Sequence, residues 1–122
     1  MFFPADMWFR AFALTLLVEL PIAGVLLRRS ESSQTRLVLM ILFANLASHP
    51  AVWFIFTQLL LIGTAEYLLV AEGWAVAAEA LFYWAVFRGL PARRSVLVSF
   101  VANMASFLLA ELLARAWPEL FQ

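Results

Sequence analysis

A chain of 122 residues of which 66% are hydrophobic and 13% charged carries more apolar surface than a soluble domain of this size can hide. Its formal net charge of zero argues against a nucleic-acid partner, and the absence of cysteine excludes disulfides, thiolate metal sites and thiol catalysis. These numbers predict an all-α membrane protein, a four-transmembrane-helix bundle built as one integral membrane domain across residues 1–122.

The opening residues, Met1 to Asp6, lack the basic leader and small-residue cleavage site of a secretory signal, so the first apolar segment is expected to be retained. That segment, residues 7–27, contains Glu19 and Pro21. An arginine-bearing loop follows with Arg28, Arg29 and Arg36, and the second segment, residues 37–62, holds Asn45, Ser48, His49 and Pro50. Gly63-Thr64 connects it to residues 65–87, which include Glu72, Glu79 and Tyr83. Arg88, Arg93 and Arg94 then flank a third loop, and residues 95–114 carry Asn103 and Ser106. All four segments reach the roughly 20 residues needed to cross a bilayer. Four crossings put loops 28–36 and 88–94 on one side. Their arginine excess predicts that side to be cytoplasmic, with both termini outside, in a prokaryotic inner membrane. Asp6 before Arg10 and Glu111 before Arg115 have the helical spacing of interfacial ion pairs.

The chain reads as a helical hairpin written twice. Residues 36–48 (RLVLMILFANLAS) and 94–106 (RSVLVSFVANMAS) are identical at seven of thirteen positions and share Ala-Asn-x-Ala-Ser, with the only two asparagines of the chain. Glu19 stands nine residues before Arg28, and Glu79 nine before Arg88. Two tandem hairpins, about 7–62 and 65–114, would be related by a pseudo-two-fold axis along the membrane normal.

At about 1.5 Å per residue, nine residues place a side chain roughly 13 Å from the arginine band, near the middle of the hydrocarbon core. Glu19, Asn45, Glu79 and Asn103 are therefore predicted to share one layer, with Ser48, Ser106 and His49 one turn further out. Glu72 lies on nearly the same stripe as Glu79, about 10 Å beyond it. Glu72, His49 and the serines are expected to line a path from the outer surface to that layer.

Each residue type admits a packing role and a functional one. The asparagines and serines are expected chiefly to lock helices together by hydrogen bonds. A carboxyl group costs more in lipid than an amide, so Glu19 and Glu79 weigh equally towards function, as a pair sharing a proton or binding a cation. Tyr83, one turn from Glu79, is placed to donate to it, and Glu72 to accept from His49. Pro21 and Pro50 should kink or open their helices by removing bonds to Leu17 and Leu46. His49 is expected more as a packing residue than as a ligand, and neither a metal nor a cofactor is assigned. Trp8, Trp53, Trp117, Tyr67 and Trp84 are expected in interfacial belts.

No His-Glu-x-x-His, Gly-x-Ser-x-Gly or Gly-rich phosphate loop is present, so catalysis is not expected. Two readings stay open. One is a small transporter or channel component, proton- or cation-coupled, working as a homo-oligomer in the lipid bilayer. The other is an accessory or assembly subunit of a larger membrane complex, in which the polar layer is structural.

Overall fold

The computed structural model describes residues 5–121; the expectation about a leader falls mainly on residues 1–4 and lies outside the described residues. Four helices account for the fold: α1 (Ala5–Leu27), α2 (Gln34–Leu59), α3 (Ala65–Val86) and α4 (Ala92–Ala116), with a closing 3-10 turn at Pro118–Phe121. Among the described residues there is no strand. The shortest helix, 22 residues, spans about 33 Å, enough to cross the hydrocarbon core. The molecule is a membrane-embedded four-helix bundle.

Helices α1, α2 and α4 start two or three residues earlier than hydropathy places them, while α3 starts at Ala65 as expected; α2 and α3 carry polar caps. The Ser33 side chain accepts from the Arg36 amide at 3.2 Å, and the Thr64 side chain from the Tyr67 amide at 3.2 Å. These bonds satisfy amides that a helix N-terminus leaves without partners. Pro91 caps α4 and leads into its first turn. At its other end α2 stops at Leu59, short of the expected residue 62, because Leu60 turns extended and Gly63 takes a positive φ of 88°. The Glu111–Arg115 pair forms at 3.7 Å. Asp6 and Arg10 make no ion pair among the described residues; both are exposed, where solvation competes with pairing. An unforeseen pair, Glu31 to Arg36 at 3.0 Å, braces the first loop.

The two inner prolines act differently. After Pro50, α2 changes from α to π winding over Ala51–Phe56 before a last α turn at Thr57–Leu59. Proline removes the donor that Leu46 would have used, and the wider winding absorbs the break. Neighbouring side chains take up carbonyls along this stretch. The Trp74 indole donates to Ser48 O at 3.0 Å, the Tyr67 hydroxyl to Val52 O at 3.3 Å, and Thr57 Oγ1 to Trp53 O at 2.7 Å. Pro21, by contrast, sits inside a helix that continues to Leu27. It is exposed beside lipid-facing Leu17, and no change of winding accompanies it.

The helices follow one another around a ring, with α1 against α2, α2 against α3, α3 against α4 and α4 back against α1. Helices α1 and α3 therefore face each other across the centre, as do α2 and α4. The outside is apolar, with Leu17, Leu59, Leu69, Leu81 and Leu112 all more than 60% exposed. The inside is partly polar, the reverse of a soluble bundle, which is the distribution a lipid solvent selects. Small buried residues such as Ala23, Ala44, Ala71, Ala75 and Ala102 let the backbones approach closely. At the arginine-rich end a dry core of Leu27, Leu37, Ile41, Tyr83, Phe87 and Val98 closes the bundle.

Candidate functional site

The polar centre is built from one carboxyl on each of α1 and α3 and an Asn/Ser pair on each of α2 and α4. Asn45 and Ser48 are three residues apart on α2, Asn103 and Ser106 three apart on α4, so each pair presents one helix face to the axis. All six side chains are buried, and Glu19 and Asn45 are wholly inaccessible. Both carboxyl groups point inward, although the helices that carry them are otherwise lipid-facing.

The hydrogen bonds cross between the two halves of the chain. Ser48 Oγ donates to Glu79 Oε1 at 2.8 Å, and Ser106 Oγ donates to Glu19 Oε1 at 2.9 Å. Each serine also bonds back to the carbonyl of its asparagine, at 3.3 Å for Asn45 and 3.0 Å for Asn103. Asn103 Nδ2 gives one bond to Glu79 Oε2 at 2.8 Å and another to Ser99 O at 2.9 Å. Asn45 Nδ2 bonds Ile41 O at 3.1 Å, the intrahelical contact equivalent to that of Asn103. Asn103 thus ties α4 to α3, whereas Asn45 donates within α2 and lies beside Glu19 of α1.

The two carboxyl groups differ in what surrounds them. Both oxygens of Glu79 accept a hydrogen bond. Of the Glu19 oxygens only Oε1 does; Oε2 is buried without a donor among the described residues, beside Asn45 and within hydrogen-bonding reach of the Glu79 carboxyl. The two acids meet across the centre of the bundle.

A cavity of about 200 Å³ leads to this centre from the end that bears the termini. Glu19, Asn103, Ser106, Glu72 and His49 all border it, so Glu72, His49 and one serine share a cavity with Glu19. Ser48 does not border it, being turned towards Glu79. Towards the arginine-rich end the polar centre gives way to the apolar core of Leu27, Leu37, Ile41, Tyr83, Phe87 and Val98.

Two expected contacts are not made. The Tyr83 hydroxyl is buried with no hydrogen-bond partner among the described residues, because its ring packs into the apolar core at the arginine-rich end, 6.0 Å from the Phe87 ring. His49 gives no hydrogen bond to Glu72. Its imidazole lies among aromatic rings, 5.2 Å from Phe12, 6.3 Å from Trp8 and 6.3 Å from Trp53, and its Nδ1 is without a partner. Trp8 and Trp53 are accordingly half-buried at the end that bears the termini, while Trp84 and Trp117 are exposed.

Some participants were not singled out from the sequence. Ser99 is fully buried; its Oγ donates to Val76 O at 2.9 Å and lies 3.4 Å from Asn103 Nδ2. The signal was present, since Ser95, Ser99, Asn103 and Ser106 form one helical stripe. Thr15, which borders the cavity four residues before Glu19, lies on the same stripe of α1. The position of Trp74, deeper than the belt aromatics, was visible in the sequence, but its contact was not, because its partner is a backbone carbonyl on another helix.

Fold and site together define a four-helix membrane-embedded bundle with a polar centre reached from one end. No protein-family model matches the chain, and no curated protein or solved structure matches it.

Proposed function

We propose that the protein is a small proton- or cation-exchanging transport component of the membrane, with Glu19 as the exchangeable group and Glu79 as its fixed partner. The observation that carries this reading is the Glu19–Glu79 contact at the inner end of a cavity that reaches Glu19. Two carboxyl groups within hydrogen-bonding reach, away from water, do not both ionise readily and instead hold one proton between them. Glu79 already receives two hydrogen bonds, so the shared proton belongs on Glu19 Oε2, the oxygen with no other donor. The groups facing the pair are Asn45, Ser48 and His49 from α2, Asn103 and Ser106 from α4, and Glu72 and Tyr83 from α3; a proton reaching Glu19 passes Glu72 and His49.

Infrared difference spectroscopy on the protein in lipid tests this directly. A carboxylic C=O stretch should be present at neutral pH and vanish in Glu19→Gln, which keeps the fold because the amide can donate where the proton stood. An unchanged spectrum in that variant would exclude the shared proton, and unchanged flux in proteoliposomes would exclude transport at this site.

The remaining assignments belong to the same proposal. The crossed bonds, Ser48 to Glu79 and Ser106 to Glu19, exchange under the hairpin correspondence and support a duplicated hairpin with a pseudo-two-fold axis. The arginine excess supports cytoplasmic loops at residues 28–36 and 88–94 in a prokaryotic inner membrane. A homo-oligomer suits the largely apolar helix exteriors.

The complete hydrogen bonding of Glu79 favours a second reading, in which the polar layer is a structural lock and the protein is an accessory subunit of a larger membrane complex. Purification from the native membrane in mild detergent separates the two. Isolation without companions supports transport; constant co-purification with a larger assembly supports the accessory role.

A further inference from the structure

We infer that the outer cavity is a binding site for a small protonated primary amine, held through its N–H groups by Glu19 and Glu72. The inference rests on the exchangeable Glu19 proposed above and adds the chemical class of its ligand. Glu19 is wholly buried, borders the cavity and leaves Oε2 without a hydrogen-bond donor. Glu72, on α3, borders the same cavity with a second carboxyl group. Carboxylates only accept hydrogen bonds, and an alkylammonium head offers three donors on one charge.

The rest of the wall suits a carbon body. Leu14, Trp53 and Phe107 add apolar and aromatic surface to the same wall, the mixture by which pockets hold small organic cations. The space of about 200 Å³ equals roughly seven water-sized volumes of about 30 Å³, which limits the ligand to a few carbon atoms. Among the described residues no three His, Cys, Asp or Glu side chains converge, so the protein ligands that a dehydrated divalent ion needs are not assembled. Arg10 borders the adjoining outer pocket, which shares Ala11, Leu14, Trp53 and Ala110 with the cavity. Its charge disfavours polyvalent cations more than monovalent ones.

Binding and proton release balance. One ammonium ion enters, the proton shared by Glu19 and Glu79 leaves to water, and the total charge of the site is unchanged. Falling pH therefore competes with binding through the same Glu19 oxygen. The groups that face it are Glu72, Glu79 and Tyr83 on α3, Asn45, Ser48 and His49 on α2, and Asn103 and Ser106 on α4.

The test is calorimetric titration of the full chain in lipid nanodiscs with n-butylammonium, tetramethylammonium and sodium, with proton release followed in weak buffer. Butylammonium and tetramethylammonium have the same heavy-atom count and charge and differ in N–H groups. We expect butylammonium to bind at least about tenfold more tightly than the other two, with release of about one proton. Glu72→Gln should weaken it by about tenfold while helix content and the Glu19 infrared band persist. Ala110→Leu, which fills the cavity without touching either acid, should abolish it. Equal binding of tetramethylammonium, equal binding of sodium, no binding, or unchanged binding in Ala110→Leu would each overturn the inference. If the Glu19 band is present and butylammonium does not bind, the amine site fails alone; if the band is missing, the shared proton fails first.

Discussion

Glu19 and Glu79 occupy matching positions in sequence and unequal ones in space. Both oxygens of Glu79 accept hydrogen bonds, from Ser48 and Asn103, whereas Glu19, which borders the cavity, has one oxygen without a donor among the described residues. The inequality extends to the two asparagines. Removing Asn103 strips a close donor from a buried carboxyl group as well as from Ser99 O, whereas Asn45 gives its one short bond to Ile41 O in its own helix and only lies beside Glu19. Asn103→Ala should therefore lower stability by about 1–3 kcal/mol more than Asn45→Ala, the usual penalty for leaving a buried polar group unsatisfied. Reversible unfolding in detergent measures the difference; equal losses would mean that the Asn103–Glu79 bond contributes nothing of its own.

At the scale of the helix, α2 departs most from regularity, and its cause is local. Pro50 removes one donor, the chain responds with six residues of π winding, and Trp74, Tyr67 and Thr57 donate to carbonyls at or beside it. The same stretch contributes Val52 and Trp53 to the cavity wall, so its winding sets which side chains face the polar route. Pro50→Ala returns an amide to Leu46 O and should let residues 51–56 adopt α geometry. Hydrogen exchange across these amides is expected to slow, and the environment of the Trp74 indole to change in fluorescence. Unaltered exchange would show that the π winding has another origin. Pro21 makes a contrast within the same bundle: proline on an exposed helix face is accommodated without rewinding.

For the whole molecule, polarity is divided along the bundle axis as well as between inside and outside. The arginine-rich half is packed with Leu27, Leu37, Ile41, Tyr83, Phe87 and Val98, while the half that bears the termini holds the cavity that borders Glu19. The proposed exchange site thus faces one compartment. With the arginine-rich loops in the cytoplasm, as proposed, that compartment is the outside. Ser32→Cys, in the first loop, should then resist a membrane-impermeant maleimide in intact cells, and Ile62→Cys, at the opposite end, should react. Reaction in the reverse order would turn the site towards the cytoplasm and reassign the direction of any exchange.

The four spans, the common depth of the Glu and Asn residues and the break after Pro50 were legible in the sequence. They depend on quantities that run along the chain: apolar length, rise per residue and the donor that proline lacks. Tyr83 shows where such reasoning stops, because one turn from Glu79 fixes its neighbourhood but not whether its hydroxyl meets the acid or its ring enters the core. His49 shows the same, with spacing that put it on the route and aromatic neighbours from α1 that no spacing along α2 reveals. Which helices sit diagonally, which serine meets which carboxyl, and which of two equivalent acids is left with an unsatisfied oxygen were decided by the tertiary structure. Those outcomes depend on side chains from different helices competing for the same few donors, and that competition exists only once the bundle has closed.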